Sequence, residues 1–327
     1  MPLYALEDLE EAFDVTREFL TPLDVRQWLK LVFVVFFVGS GVSLPTTEFG
    51  TSAPSGTPPA GELPSEVPAD AVAIVAAVAV AGLLLAVGVA LIGAVLEFVL
   101  IESLRSGEVS IRRYWRRRWR QGVRLFGFRV AIGLPVIALF VGWVGLLVVP
   151  LLAGREVAAP SAVFLIGLPV VVVVAVVYSL VSGLTTVFVV PIMVRAEVGV
   201  LAAWRRLWGS VRTAWRQYLA YVAVAFLLTV GASVVASVLV GLVALVFLVP
   251  ALLAVGVASV TVSLSSSAGL AVLAALALLF GLAVLVCWLL VQVPVVAYLR
   301  YHALLVLGDI EPSFALLPDR GHSPETP

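Results

Sequence analysis

Residues 71–103, AVAIVAAVAVAGLLLAVGVALIGAVLEFVLIES, decide the fold, and their only charged side chains are Glu97 and Glu102. A helix rises about 1.5 Å per residue, so about 20 apolar residues cross the roughly 30 Å hydrocarbon core of a bilayer. The stretch lacks the strict alternation of polar and apolar residues that is typical of a transmembrane strand. It therefore predicts a transmembrane helix.

The rest of the chain has the same character. Of its 327 residues, 62% are hydrophobic and 12% are charged, with a mean hydropathy of +1.15, whereas an ordinary soluble domain carries about 25% charged residues. We expect an all-α, polytopic membrane bundle within residues 28–307, with about six transmembrane helices and cytoplasmic amphipathic interfacial helices. The predicted spans are 28–44, 71–103, 124–150, 161–194, 218–249 and 268–300.

The segments outside the spans differ in composition. Residues 45–70 contain six prolines and no basic residue, which predicts a disordered external loop, either a simple connector or a ligand-capturing loop. Residues 250–267 begin with Pro250 and leave too few apolar residues to cross again, so we expect a loop or a partly inserted segment. Residues 308–327 are predicted to form a cytoplasmic tail.

Basic residues lie almost entirely on one side of the predicted spans. With this topology, 19 of the 20 Lys and Arg residues fall on the side of the termini, and Arg155 alone falls opposite. The positive-inside rule then places both termini in the cytoplasm of a multi-pass cell-membrane protein.

An Arg/Trp motif occurs twice. Trp115, Arg116, Arg117 and Trp119 recur 89 residues later as Trp204, Arg205, Arg206 and Trp208, and a Glu-Val pair precedes each set. The constant offset indicates an internal duplication. We name residues 108–119 the first repeat and residues 197–208 the second repeat; they lie in the predicted basic helices 105–124 and 196–216.

Each repeat predicts an amphipathic helix in the cytoplasmic interface, with indoles at headgroup depth and guanidinium groups on anionic phosphates or carboxylates. Anchoring is the simpler interpretation, and docking of an acidic protein partner or of a specific lipid headgroup is the alternative. Nucleic acid is excluded, because indoles that seat the helix in lipid cannot also stack on bases. The candidate binding residues are Arg112, Arg113, Trp115, Arg116, Arg117, Trp119, Arg120, Trp204, Arg205, Arg206 and Trp208.

Residues 1–27 contain a predicted acidic, amphipathic cytoplasmic helix. Its apolar stripe is expected at Leu6, Leu9, Phe13, Thr16 and Leu20. An anionic membrane surface repels such a helix unless it meets cations. We therefore expect it to fold onto the Arg-rich helices of the same chain or of a neighbour.

Ionisable residues at membrane depth are few, and they form a candidate polar cluster of Glu97, Glu102, Arg129 and Arg300. A buried structural pair is the simpler interpretation, and a proton or ion site is the alternative. Small residues at four-residue spacing predict a helix-packing face or, less simply, a substrate path; they are Gly82, Ala86, Ala90 and Ala94.

Motifs for catalysis are missing from the sequence. It contains no glycine-rich phosphate loop, nucleophile elbow or metalloprotease motif, and His302 has no second ligand at metal spacing. No cofactor is therefore expected. The sequence predicts a non-enzymatic membrane protein whose basic cytoplasmic face binds anionic lipid or a protein partner, with a small-solute or ion transporter as the alternative.

Three stretches carry a resemblance to a known family: residues 4–39, which begin YALEDLEEAFDV, residues 116–129, RRRWRQGVRLFGFR, and residues 298–318, YLRYHALLVLGDIEPSFALLP. Over nearly its whole length the chain resembles a family of uncharacterised haloarchaeal membrane proteins known as a domain of unknown function. More remotely it is similar to the membrane domain of some glycerophosphodiester phosphodiesterases. The first resemblance brings no assigned activity or functional residue. The second is not expected to bring phosphodiesterase activity, because the sequence offers no residues of an appended catalytic domain to perform it.

Overall fold

The structure is a computed structural model that describes residues 4–22, 24–39, 69–152, 160–261 and 266–317. Every regular element in these ranges is helical. In chain order they are α1 (Tyr4–Leu20), α2 (Val25–Gly39), α3 (Ala69–Ser106), α4 (Ile111–Leu152), α5 (Pro160–Leu184), a π-helical turn (Thr185–Val189), α6 (Val190–Ala196), α7 (Val200–Thr261), α8 (Ser267–Ile310) and a 3-10 turn (Pro312–Phe314).

Five segments among the described residues are long and apolar enough to cross a membrane: Ala73–Ser106, Ile111–Leu146, Phe164–Ala196, Val200–Ala258 and Ser267–Ile310. In Ile111–Leu146, 11% of the most apolar 18-residue window is buried within the protein. In the other four segments none of that window is buried. Apolar surface of this extent is unfavourable in water and suits lipid. For the described residues, the prediction of helical structure with segments able to cross a membrane is thereby confirmed.

The first predicted span, 28–44, falls partly on α2. This helix has 15 residues, about 22 Å at the usual helical rise, and residues 40–44 lie outside the described part of the chain. A sixth span therefore stays a prediction. The predicted loop 45–70 also lies almost wholly outside it; only its last two residues are described, in α3.

Two predicted boundaries were wrong, because the helices continue through them. Helix α4 joins the first repeat to the third predicted span without interruption, since no proline occurs before Pro135 to remove a backbone donor. Helix α7 continues through Pro250 to Thr261, where a loop was predicted from residue 250. Transmembrane helices tolerate such a proline because neighbouring groups satisfy the freed carbonyl.

The described chain forms two compact units. The first consists of Met1–Val35, Leu100–Ser110 and Val176–Pro327. Its buried side chains include the largest ones of α6 and of the end of α8, and both α1 and α7 pack against α8. The second consists of Phe36–Val99 and Ile111–Ala175, and it contains most of α3 together with α4.

The apolar stripe of α1 was predicted partly on the wrong face: Thr16 is buried as predicted, and Leu9 and Leu20 are half-buried. Leu6 and Phe13 are 53% and 60% exposed, and the buried positions are Ala5, Asp8, Ala12, Val15, Thr16 and Phe19. Small residues at two of these positions allow a close approach to α8, which a stripe of leucines would prevent. Helix α1 hydrogen-bonds α8 through Tyr298 and His302, and it also packs against α7, whose beginning carries the second repeat.

Candidate functional site

The first repeat occupies the beginning of α4. The preceding helix ends at Ser106, and Gly107 adopts the left-handed conformation (φ 71°) that lets the chain turn. The predicted arginines are exposed and spread around the outer face: Arg112, Arg113, Arg116, Arg117 and Arg120. This part of the molecule therefore presents a strongly basic surface.

The inner face of the same helix carries different residues. Tyr114 and Arg118 are 4% and 3% exposed, and Arg118 Nη1 donates to Gln121 Oε1 at 3.0 Å. Both belong to a helical row that continues through Gly122 and Leu125. One arginine of the cluster therefore stabilises the helix and does not add to the basic surface.

Within the second unit, α3 and α4 approach each other closely at Gly122. A Cβ on this glycine would lie 2.5 Å from Val95 Cγ2 and 2.8 Å from Val95 Cα, so only glycine fits without a shift. Two turns beyond, Arg129 Nη2 bonds Glu97 Oε2 at 2.7 Å, with side chains 11% and 5% exposed. A tight contact and a buried ion pair therefore fix the direction of α4.

The second repeat occupies the beginning of α7, just as the first repeat occupies the beginning of α4. Helix α7 begins at Val200, 89 residues after Ile111, and follows Glu197, which has a φ of 54°. Arg205 and Arg206 are exposed. The equivalents of the buried Tyr114 and Arg118 are also buried, and they are Ala203 and Leu207.

The indoles of the two repeats divide into exposed and enclosed ones. Trp119 and Trp208 are 40% and 52% exposed. Trp115 is half-buried, and its ring lies 5.4 Å from that of Trp119. Trp204 is half-buried too, and its Nε1 donates to Thr185 Oγ1 at 3.1 Å. The second tryptophan of each repeat is therefore the one available to lipid.

Helix α7 bends at Ala214, whose φ and ψ of −119° and 33° are not helical. A hydrogen bond of 2.9 Å between Ser210 Oγ and Tyr218 OH joins the two sides of the bend. Two cation–π pairs stand beside it: the guanidinium of Arg212 lies 5.6 Å from the Trp208 ring, and that of Arg216 lies 5.6 Å from the Trp215 ring.

The π-helical turn between α5 and α6 explains the position of Arg300. Val190 N–H donates to Thr185 O, five residues back. In this register the carbonyl of Thr186 would need the N–H of Pro191, and proline has none. Arg300 Nη1 donates to that carbonyl instead, at 2.7 Å. The arginine therefore satisfies a backbone group that the proline leaves open.

The predicted polar cluster is only partly brought together. Glu97 pairs with Arg129 in the second unit, as the simpler interpretation expects. Glu102 and Arg300 belong to the first unit, where Glu102 is 3.8 Å from Arg105 and Arg300 bonds the π-helical turn. Each of the four is thus engaged locally.

The predicted packing face of α3 differs along its length. Gly82 and Ala86 are exposed, and a Cβ on Gly82 would meet nothing within 4 Å. Ala90 is half-buried and Ala94 is fully buried. Within the chain, only the end of the stripe nearest Glu97 packs, and a contact of its first half with another chain stays a prediction.

The sequence reasoning missed three residues that matter for the site. Gly122 lies three residues after the first repeat, and its position one turn beyond Arg118 was the available signal. Arg118 was left out of the predicted binding set, but nothing in the sequence pattern had predicted its burial. Asp8, 2% exposed, was assigned to the outer face because aspartate is rarely buried.

Metal binding has no support in the described ranges, because they contain no group of three or more His, Cys, Asp or Glu side chains that could hold an ion.

Comparison with known families gives one match, to a family of unknown function (DUF7544), over residues 3–317. The chain belongs to this family. No curated protein and no solved structure matches it significantly.

Proposed function

We propose that this DUF7544 member is a non-enzymatic membrane protein whose cytoplasmic basic surface binds anionic phospholipid headgroups at the bend of α7. The observation that carries the proposal is the pair of arginines stacked on largely exposed indoles. Trp208 and Trp215 are 52% and 55% exposed, and Arg212 and Arg216 lie over them. Indoles favour the headgroup region, and arginine binds phosphate oxygens with two parallel donors.

The position of this pair along the helix agrees with headgroup depth. Arg216 stands three residues before Leu219, where the long apolar part of α7 begins, a distance of roughly 5 Å. The headgroup region on each side of the hydrocarbon core is about 5–8 Å thick. If α7 crosses the bilayer, its guanidinium groups therefore lie among lipid phosphates.

The arginines of α4 favour a second candidate, an acidic protein partner. Helix α4 is continuous, and its uncharged part begins at Val130. Arg117 and Arg112 precede that residue by 13 and 18 positions, or roughly 20 and 27 Å of helix. A straight helix holds them beyond the headgroups, within reach of a soluble acidic surface.

One experiment compares the two basic segments. The full chain is placed in phosphatidylcholine nanodiscs with or without phosphatidylglycerol, and retained phosphatidylglycerol is counted by native mass spectrometry. Replacing Arg212 and Arg216 by Gln should weaken retention about thirtyfold, since each arginine contributes about 1 kcal/mol near an anionic leaflet. Arg112→Gln with Arg113→Gln removes the same charge and should leave retention unchanged.

The reciprocal measurement uses a fluorescent polyglutamate peptide as the acidic probe, in nanodiscs of phosphatidylcholine alone. The pair at 112 and 113 should now weaken binding, and the pair at 212 and 216 should not. The lipid proposal fails if the change at 212 and 216 leaves phosphatidylglycerol retention intact. The partner proposal fails if the peptide binds all variants equally.

The transporter alternative has less support. Glu97 and Arg129 bond each other, and Arg300 bonds a backbone carbonyl, so these ionisable groups are already engaged within the chain. Haloarchaeal origin, the cytoplasmic termini and the similarity to phosphodiesterase membrane domains stay predictions from the sequence.

A further inference from the structure

Helix α1 is held on α8 by a small number of specific contacts. His302 Nε2 donates to the carbonyl oxygen of Ala5 at 2.9 Å, since a carbonyl only accepts. Tyr298 OH donates to the carbonyl of Leu9 at 3.4 Å. At the other end of α1 the Phe19 ring meets the edge of Tyr301, with centroids 5.9 Å apart.

A carboxyl group lies in the middle of this interface. Asp8 is 2% exposed, and within the described ranges its Oδ2 has no hydrogen-bond partner. The carboxyl of Asp309 on α8 lies within interaction range of Asp8. Two neighbouring carboxyl groups resist double ionisation, and a proton on one of them lets it donate to the other, so the docked arrangement favours a proton that the sequence does not reveal.

The surroundings of Asp8 favour the protonated form. Burial raises the pKa of Asp8 from 3.8 to about 8, and the charge and hydrogen bond of Asp309 add to the rise, followed by the charges of Glu11 and Glu7 on its own helix. From α8, His302 bonds α1 one turn away. Helix α7 also packs on α1, and none of its described residues is among the groups that shift this pKa.

We propose that Asp8 and Asp309 form a proton-binding site that couples the docking of α1 on α8 to pH. The proton neutralises one carboxyl of the pair and supplies the hydrogen bond between the two helices. When it leaves, a negative charge remains on the buried Asp8, facing the like charge of Asp309, whose own side chain is exposed. Detachment of α1 then exposes a face that includes Ala5, Ala12 and Phe19.

The sign of the dependence follows from the two pKa values. Detached α1 has an ordinary Asp8, which ionises near 3.8, whereas docked α1 retains the proton up to about 8. Docking is therefore strongest below about pH 4, and it weakens by up to about tenfold per pH unit until about pH 8. Above that pH both states are ionised, and no further loss is expected.

Hydrogen exchange of the full chain in nanodiscs measures this equilibrium even when little α1 is detached. The quantity is the protection factor of α1 amides between pH 5 and 9, after division by the intrinsic exchange rate at each pH. We expect it to fall with pH and to level off above about 8. Amides of α3 between Val95 and Leu100, which lie in a buried stretch, serve as the reference and should show no such slope.

Three variants complete the test. Asp8→Asn has no proton to lose and should give flat α1 protection, whereas Asp14→Asn, on the exposed side of the helix, should keep the wild-type slope. Asp309→Asn offers an amide donor to ionised Asp8. In this variant the fall in α1 protection should therefore level off at a lower pH than in the wild type. A flat wild-type profile, or a wild-type slope in both Asp8→Asn and Asp309→Asn, overturns the proposal.

Discussion

The two Arg/Trp repeats begin alike and continue differently. Both begin a helix at equivalent residues, both bury the same two positions of the first turns, and both expose the second tryptophan. Beyond that point α4 continues as one helix, whereas α7 bends at Ala214. A duplicated motif has therefore preserved which face is buried and changed where the helix leads.

The difference can be assigned to a few residues after the motif. At the offset of 89, Gly122 corresponds to Val211, and Arg129 corresponds to Tyr218. Glycine allows α4 to lie against Val95, and Arg129 ties it to Glu97. In α7, Tyr218 bonds back to Ser210 within the same helix, across the bend. Contacts to another helix hold α4 in place after its repeat, and a contact within the helix bridges the bend of α7.

The largest expected effect compares the ion pair of Arg129 in α4 with the hydrogen bond of Tyr218, the equivalent residue of α7. Arg129→Leu leaves Glu97 buried without its cation and should lower the free energy of unfolding by about 3–5 kcal/mol. Tyr218→Phe removes one neutral hydrogen bond and should cost about 1 kcal/mol. Chemical unfolding in detergent micelles measures both.

The double change Glu97→Leu with Arg129→Leu is the control for this pair. It removes both charges, so stability should return close to that of the wild type. Equal losses for Arg129→Leu and Tyr218→Phe would contradict the view that only the first repeat depends on a buried ion pair.

The next effect concerns the close approach of α4. Gly122→Ala forces Val95 to shift and should destabilise the protein by about 1–3 kcal/mol. Gly127→Ala, five residues on, meets nothing within 4 Å and should be neutral or stabilising by up to about 1 kcal/mol, because alanine favours a helix. Thermal unfolding of the two variants should move in opposite directions, and a shared direction would refute the packing argument.

The smallest effect compares equivalent tryptophans. Trp204→Phe loses the donor to Thr185 and should cost about 1 kcal/mol. Trp115→Phe keeps an aromatic ring beside Trp119 and should change stability by less than about 0.5 kcal/mol. Unfolding under identical conditions distinguishes them; a larger loss at residue 115 would reverse the assignment of roles between the repeats.

Much of the architecture followed from local patterns. The apolar run at 71–103 predicted α3 to within a few residues, and the duplicated motif predicted two exposed basic helical segments. The continuity of α4 was missed, because a basic stretch followed by an apolar one reads equally well as two helices or as one. The bend at Ala214 has no signal of its own, since alanine is the strongest helix former.

The candidate site was also predicted only in part, because local patterns describe some of its features and not others. The exposure of Arg112 and Trp208 follows from helical periodicity, which depends only on neighbours along the chain. The burial of Asp8 and Arg118 depends on partners and surroundings that periodicity does not describe. Arg300 bonds the π-helical turn across 114 positions of sequence, and no local rule connects them.

The sequence by itself determined that this chain is helical and has segments able to cross a membrane, because hydrophobic length and helical rise are properties of each segment alone. It also determined where arginine and tryptophan recur. Only the tertiary structure decided which carboxylate pairs with which arginine, where α7 bends and that α1 buries an aspartate. Those outcomes depend on distances between residues far apart in the chain, and the free energy of burying a charge depends on what stands beside it.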